Sequence, residues 1–299
     1  MDEYFKLVHR LPEPFARALG SLPEQIARRV QEIRLRAEQP VQFTVNGRLV
    51  AATALLPDKG PLACVSRENL QQCFLALCGH SVYAYEEELA CGYFTLPGGY
   101  RVGVAGVAGV AGVAGFAVVT ALNLRVARWV TCPLPAAVEA ALDRLDAGLL
   151  VAGPPGSGKT TVLRSMVCRL AAGNRIICVV DERGELMADA SCPLEDKPAV
   201  NCDVYTRYPK AKAIEMALRC MNPQAIVCDE LGTAADAEAL EAGLASGAVF
   251  LASVHCESPE SLQHKPQLAR LLGTGAFTRA VFLAGRDQPG QIAQMVPLV

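Results

Sequence analysis

Residues Gly153-Pro154-Pro155-Gly156-Ser157-Gly158-Lys159-Thr160 match the pattern G-x-x-x-x-G-K-[ST] at every fixed position. Such a stretch does one kind of chemistry well. Its glycines let backbone N–H groups turn toward a phosphate chain, and a helix starting at its end adds partial positive charge. Lys159 would neutralise phosphate charge, the Thr160 hydroxyl would take one position on Mg²⁺, and Thr161 is assigned to the nucleotide site with them. A nucleoside triphosphate is the expected ligand. The base it carries is not readable here, because such loops contact phosphates.

Three further groups have types suited to the same reaction. Asp229-Glu230 follows the apolar run Ala225-Ile226-Val227-Cys228; Asp229 is expected to bind Mg²⁺ and Glu230 to polarise the attacking water. Asp181-Glu182 follows Ile176 to Val180, so Asp181 is a second candidate metal ligand and Glu182 a competing general base. His255 follows Val249 to Val254, where an imidazole could sense the terminal phosphate. Read singly, an acid pair after a strand is ordinary loop solvation and a lone histidine is ordinary surface. Their order behind a complete phosphate loop is what makes them candidates.

Elements that hold such groups in place are legible around them. Leu149 to Ala152 reads as a buried strand and Thr161 to Leu170 as a helix. Beyond them, strands at 176–180, 225–228 and 249–254 alternate with helices at 211–221 and 234–244. That alternation predicts a mainly parallel α/β sheet with chemistry at the carboxyl ends of its strands. A helix over 133–146 leads into this domain. Upstream, Pro23 to Arg36 reads as a helix with Ile26, Val30 and Ile33 on one face, its end extended. Val41 to Val45, Asn46-Gly47 and Arg48 to Val50 form a hairpin signal, Ser66 caps a helix through Leu77, and 92–104 reads as a second hairpin. The expected division is a smaller α+β domain over 1–131 and the nucleotide domain over 132–299.

Composition narrows the classes. The chain has 299 residues, 52% hydrophobic and 19% charged, with formal net charge −2, which suits two folded domains and offers no basic field for nucleic acid. Twelve cysteines lie scattered without C-x-x-C pairs, several of them inside apolar runs. With an N-terminus that lacks the plan of a signal peptide, they point to a reduced, cytoplasmic protein. From Val102 to Leu124 there is no charge, and the stretch repeats Val-Ala-Gly. It reads as a glycine-rich hairpin extended at its tip, with membrane insertion as the alternative.

The order of phosphate loop, DERGEL (181–186), Asp-Glu strand end and LASVHCES (251–258) resembles the secretion-ATPase superfamily. EIRLR (32–36), YAYEEELACGYFTLPGGYRVGVAG (83–106), LNLRVAR (122–128) and YPKAKAIEMALRCMNPQAIVCDELG (208–232) are similar, within it, to the stage III sporulation AA family. The resemblance implies a RecA-like domain with P-loop NTPase activity, ATP and Mg²⁺ as cofactors, and a homo-oligomeric ring, a hexamer. It implies a mother-cell location, peripheral to the membrane and docked on membrane-embedded proteins of the channel to the forespore. It also implies that arginines of the first domain, Arg101 in GGYRVGVAG and Arg125 in LNLRVAR by motif position, reach the triphosphate. The repeat departs from the family's polar hairpin turn. Two other readings share the nucleotide site: a RecA-like motor on nucleic acid, and an ATP-binding scaffold with little turnover.

Overall fold

The computed structural model describes residues 1–56, 60–113, 116–187, 198–264 and 266–298. The chain divides into two compact units, the first Met1–Trp129 and the second beginning at Val130.

The first unit is built on six strands: β1 (Val30–Arg36), β2 (Gln42–Val45), β3 (Arg48–Ala51), β4 (Tyr93–Leu96), β5 (Tyr100–Val113) and β6 (Phe116–Arg125). They form an antiparallel sheet in the order β3-β2-β1-β6-β5-β4. The turn between β2 and β3 has Asn46 at φ 50° and Gly47 at φ 75°, the paired positive values a two-residue hairpin needs. Ser66 caps the helix Arg67–Leu77, its Oγ accepting from the Asn69 N–H at 3.1 Å.

The helix expected over Pro23 to Arg36 is corrected. Only Glu24–Ala27 is helical, and the chain then runs as β1 between β2 and β6. Ile33 and Leu35 are fully buried while Glu32, Arg34 and Arg36 lie on the other face, the period of a strand. Glutamate and arginine favour helices, but a central strand pairs its backbone on both sides. Tertiary pairing overrides the local preference.

In the second unit seven strands, β7 (Leu149–Gly153), β8 (Ile177–Asp181), β9 (Asp203–Thr206), β10 (Ala225–Cys228), β11 (Val249–His255), β12 (Arg279–Leu283) and β13 (Ile292–Pro297), form one sheet in the order β13-β12-β7-β11-β10-β8-β9. Every pairing is parallel except β12 with β13. β7, β8 and β10 are buried along their whole length, which is why they read as unbroken apolar runs. Helices Lys159–Ala172, Lys210–Cys220 and Ala234–Ala245 are among those connecting the strands. A short, half-exposed β9 and the β12–β13 hairpin had no clear sequence signal. Every described cysteine is a free thiol, and no described helix is long and apolar enough to cross a membrane.

The strand assignment of β1 is directly testable. Leu35 lies off the face that a helix would bury through Ile26, Val30 and Ile33. Truncating it to alanine in a buried strand costs about 2–5 kcal/mol. Chemical denaturation of Leu35→Ala should show a loss of that size, with Arg36→Ala changing stability far less.

Candidate active site

Parallel pairing in register sets the site. Gly153 lies opposite His255, Ala252 opposite Cys228, and Cys228 opposite Val180. The residues that follow these pairs therefore emerge side by side at the carboxyl edge: the phosphate loop, Asp181, Asp229 and the end of β11.

The loop is compact. A Cβ on Gly153 would lie 2.4 Å from the Ser157 Oγ, and Gly158 has φ 90° and packs where a Cβ would lie 2.3 Å from the Gly290 nitrogen. The Ser157 hydroxyl is buried without a hydrogen-bond partner, and the Ser157 N–H donates to the Pro154 carbonyl at 3.2 Å. Lys159 and Thr160 open a helix of 14 residues whose first turn also holds Thr161. The Lys159 Nζ donates to the Gly153 carbonyl at 3.0 Å and the Pro154 carbonyl at 3.1 Å, and lies 3.0 Å from the His255 Nδ1. Burial lowers its pKa, against the opposing pull of Asp229 and Glu230.

Thr160 and Asp229 meet directly, the threonine Oγ1 donating to Oδ2 at 3.1 Å. The other Asp229 oxygen accepts from the Glu230 N–H at 3.0 Å and from the Ser253 hydroxyl. Ser253 is wholly buried and its Oγ also accepts from the Glu230 N–H at 3.0 Å. Glu230 sits at φ 48°, a left-handed backbone unfavourable for a residue with a side chain, and these contacts hold it there.

Its carboxylate lies between His255 and Arg183. The His255 Nε2 is 2.7 Å from Oε1, and an Arg183 Nη is 2.7 Å from Oε2. Burial raises the Glu230 pKa, but the His255 hydrogen bond and the charges of Arg183 and Lys159 outweigh it and hold the group below the usual range. With Nε2–H donating to Glu230 and Nδ1 accepting from Lys159, one tautomer satisfies both contacts. The result is a continuous line from Lys159 through His255 and Glu230 to Arg183.

Asp181 departs from its expected place at a metal. It is 1% exposed, and its two oxygens accept from the backbone N–H groups of Glu185, Leu186 and Met187 at 2.8–3.1 Å. Burial raises its pKa in spite of those bonds, and the charge of Asp229 adds to the rise. Its geometry is that of a loop anchor. Glu182, 40% exposed, pairs with the Lys210 Nζ at 3.1 Å and so faces a different partner from Glu230. Both acid pairs, with Arg183 and Lys210, line one cleft.

Arg101 and Arg125 belong to the first unit. Val102 pairs with Leu124, so the two arginines lie side by side at the base of the β5–β6 hairpin. The Arg101 guanidinium stacks 3.7 Å from the Tyr93 ring centre, and the Arg125 Nε is 4.0 Å from Glu32.

Sequence reasoning missed four contributors. Ser253 had a signal, a hydroxyl inside the apolar run LASV. Arg183 stood in DERGEL and Lys210 in the YPKAK stretch, but charge alone did not assign their partners. Arg164 is 7% exposed and donates to the carbonyls of Val130, Glu185 and Leu186 at 2.7–2.9 Å.

The donor set suits a magnesium–phosphate ligand. Thr160 and Asp229 supply two hard oxygens, and among the described residues no cluster of three His, Cys, Asp or Glu side chains could hold a metal unaided. Mg²⁺ bound by one or two side chains with phosphates completing its shell is the usual arrangement at such sites.

A largely parallel sheet carrying a phosphate loop, with an antiparallel domain before it, defines a RecA-like ATPase fold. The chain matches the Legionella pneumophila ATPase DotB at TM-score 0.60 and 18% identity, covering 85% of this chain and 72% of that one. It matches the pilus retraction motor PilT, solved with bound ADP, at TM-score 0.54 and 18% identity, covering 85% and 74%. The sequence model described as "Sporulation stage III, protein AA" matches residues 15–296, and the chain belongs to that family. It is 31% identical over 296 residues to stage III sporulation protein AA of Bacillus subtilis (strain 168), spanning 95% of this chain and 92% of that protein.

Arg164 provides the test of the loop's architecture. Its truncation would leave three carbonyls without their donor, each orphaned group costing about 1–3 kcal/mol. Arg164→Ala should lower stability in urea by on the order of 3 kcal/mol or more, and Arg164→Lys should recover only part of it.

Proposed function

We propose that this chain is a Mg²⁺-dependent ATPase that drives a secretion-type complex during sporulation. The observation that carries the reading is the convergence of Lys159, the Thr160–Asp229 pair and the Glu230–His255 pair at one edge of a parallel sheet. Family membership and the likeness of fold to ATPases of secretion and pilus systems support it.

In this reading Lys159 exchanges its carbonyl and imidazole acceptors for phosphate oxygens, because bonds to an anion are the stronger kind. The N–H groups of Gly156, Gly158, Lys159, Thr160 and Thr161 face the phosphate chain. Thr160 and Asp229 hold Mg²⁺, whose charge offsets that of the phosphates. Glu230 accepts the proton of the attacking water, releasing His255 or Arg183 to free an oxygen. His255, touching both Lys159 and Glu230, reports the loop's state to the base. Asp181 keeps Glu182 and Arg183 in position by anchoring the loop that carries them.

Arg101 and Arg125 complete the site from a neighbouring subunit of a homo-oligomeric ring, a hexamer. Guanidinium groups spread over phosphate oxygens and offset charge in the transition state. The ring docks on membrane-embedded proteins of the sporulation channel, on the mother-cell side, and takes no nucleic acid. The net charge of −2 agrees with that last point.

Steady-state hydrolysis of ATP, with and without nucleic acid, tests the reading. Lys159→Ala should abolish binding or turnover in a folded protein. Glu230→Gln should retain ATP and stall hydrolysis by a factor of about 10²–10⁴. Stalling by Glu182→Gln with normal turnover in Glu230→Gln would exchange the two roles. Turnover in the parental protein that rises only with DNA or RNA would favour a nucleic-acid motor, and binding without turnover a scaffold.

The ring has its own test. Mixing an Arg101→Ala/Arg125→Ala chain with a Lys159→Ala chain should restore activity that neither has alone. No restoration, with specific activity constant on dilution, would place the completed site within one chain.

A further inference from the structure

The connection between β12 and β13, residues 284–291, folds back over the phosphate loop. The reason lies in the sheet: β12 runs parallel beside β7, with Phe282 opposite Ala152, so both chains leave the sheet at the same edge. The Gly290 N–H donates to the Ser157 carbonyl at 2.8 Å. Gly158 approaches Gly290 so closely that neither backbone could move inward.

One side chain joins this contact. The Arg286 Nε donates to the Pro155 carbonyl at 2.7 Å, and its stem covers Gly156, where a Cβ would lie 3.7 Å from the arginine Cγ. Arg286 is exposed and makes no ion pair with a described residue. A strap needs only the Nε bond and the Gly290 amide. A guanidinium carries two further amino groups and a full charge, and its Nε bond holds it beside a loop built for anions.

We propose that Arg286 is a phosphate-contacting residue of the nucleotide site, supplied by the same chain as the loop. Its Nε fixes the fork on Pro155 and its amino groups bind the phosphate chain of a nucleoside di- or triphosphate. This rests on the nucleotide reading above and adds a cation that comes from neither the loop nor the first unit. The fixed Nε gives the fork a set orientation before ligand arrives, so less rotamer freedom is lost on binding.

The test reads binding, not turnover. Fluorescent ADP and ATP analogues with Mg²⁺ are titrated into the full chain, alongside melting of the ligand-free protein. Arg286→Ala should weaken nucleotide about tenfold, as expected for one charge-assisted contact, while leaving the ligand-free melting temperature unchanged. Arg286→Lys should recover part of the affinity through charge alone, and Gln288→Ala, in the same loop, should match the parental protein. Affinities of Arg286→Ala within twofold of parental would overturn the proposal. So would a fall in ligand-free melting temperature that accounts for the weaker binding, which would make Arg286 a strap. A parental protein that binds neither analogue would refute the nucleotide reading itself, and this proposal with it.

Discussion

Everything at the site depends on the in-register parallel pairing of β7, β11, β10 and β8. Gly153 stands opposite His255, and one step past the Ala252–Cys228 pair Ser253 meets Asp229. β7, β8 and β10 are buried along their whole length, so a slip of one residue would exchange their faces and disrupt the packing on both sides. The apolar strands thereby fix the polar groups at and just beyond their carboxyl ends. A shift of one position in β11 would separate His255 from Lys159 and Ser253 from Asp229 together.

Burying charge around that edge is costly, several kcal/mol for an isolated ion even after relaxation, so each buried ion needs compensation. Asp181 and Arg164 share one solution. The segment Glu185–Leu186 turns its N–H groups to the Asp181 carboxylate and its carbonyls to the Arg164 guanidinium. Both peptide dipoles lie between an anion from β8 and a cation from the helix after the phosphate loop. The loop carrying Glu182 and Arg183 is thus tied to the helix that carries Lys159 and Thr160. Lys159 differs. Its contacts are two neutral carbonyls and the His255 ring, and the carboxylates of Asp229 and Glu230 offset its burial only in part.

How much of this was legible follows from how local each signal is. The phosphate loop is a contiguous turn between a strand and a helix, and its pattern is written in adjacent letters. Asp229-Glu230 and His255 were legible because a strand's end can be read from its apolar run. Asp181 carried the same signal and took a different role, because what decides it is the fold of 182–187 back onto its own strand end. Arg164 and Arg286 act through carbonyls distant in sequence, and backbone carbonyls leave no mark on composition. The β1 strand failed for a related reason: its partners β2 and β6 are long-range, whereas helix propensity is short-range.

The first unit's sheet shows the same rule from the other side. From Glu32 along β1 and at the bases of β5 and β6, residues alternate, with Ile33, Leu35, Val102 and Leu124 inward and Glu32, Arg34, Arg101 and Arg125 on the opposite face. Arg101 and Arg125 therefore share a polar face by register, whatever that face meets. Further along β5 the Val-Ala-Gly repeat sets a period of three against the strand's period of two, so Val104 and Val107 fall on opposite faces. Val104 is 8% exposed and Val107 55%. A repeat of this kind cannot build an amphipathic strand. β4 pairs only as far as Gly103 and β1 only as far as Ala121, so the ribbon beyond them has the hairpin's own second strand as its ladder partner. Its register slips at three points, as expected where neither face is committed to a core. What orders the base of the hairpin is the alternation that holds the arginines, and it runs into the repeat only as far as Val104.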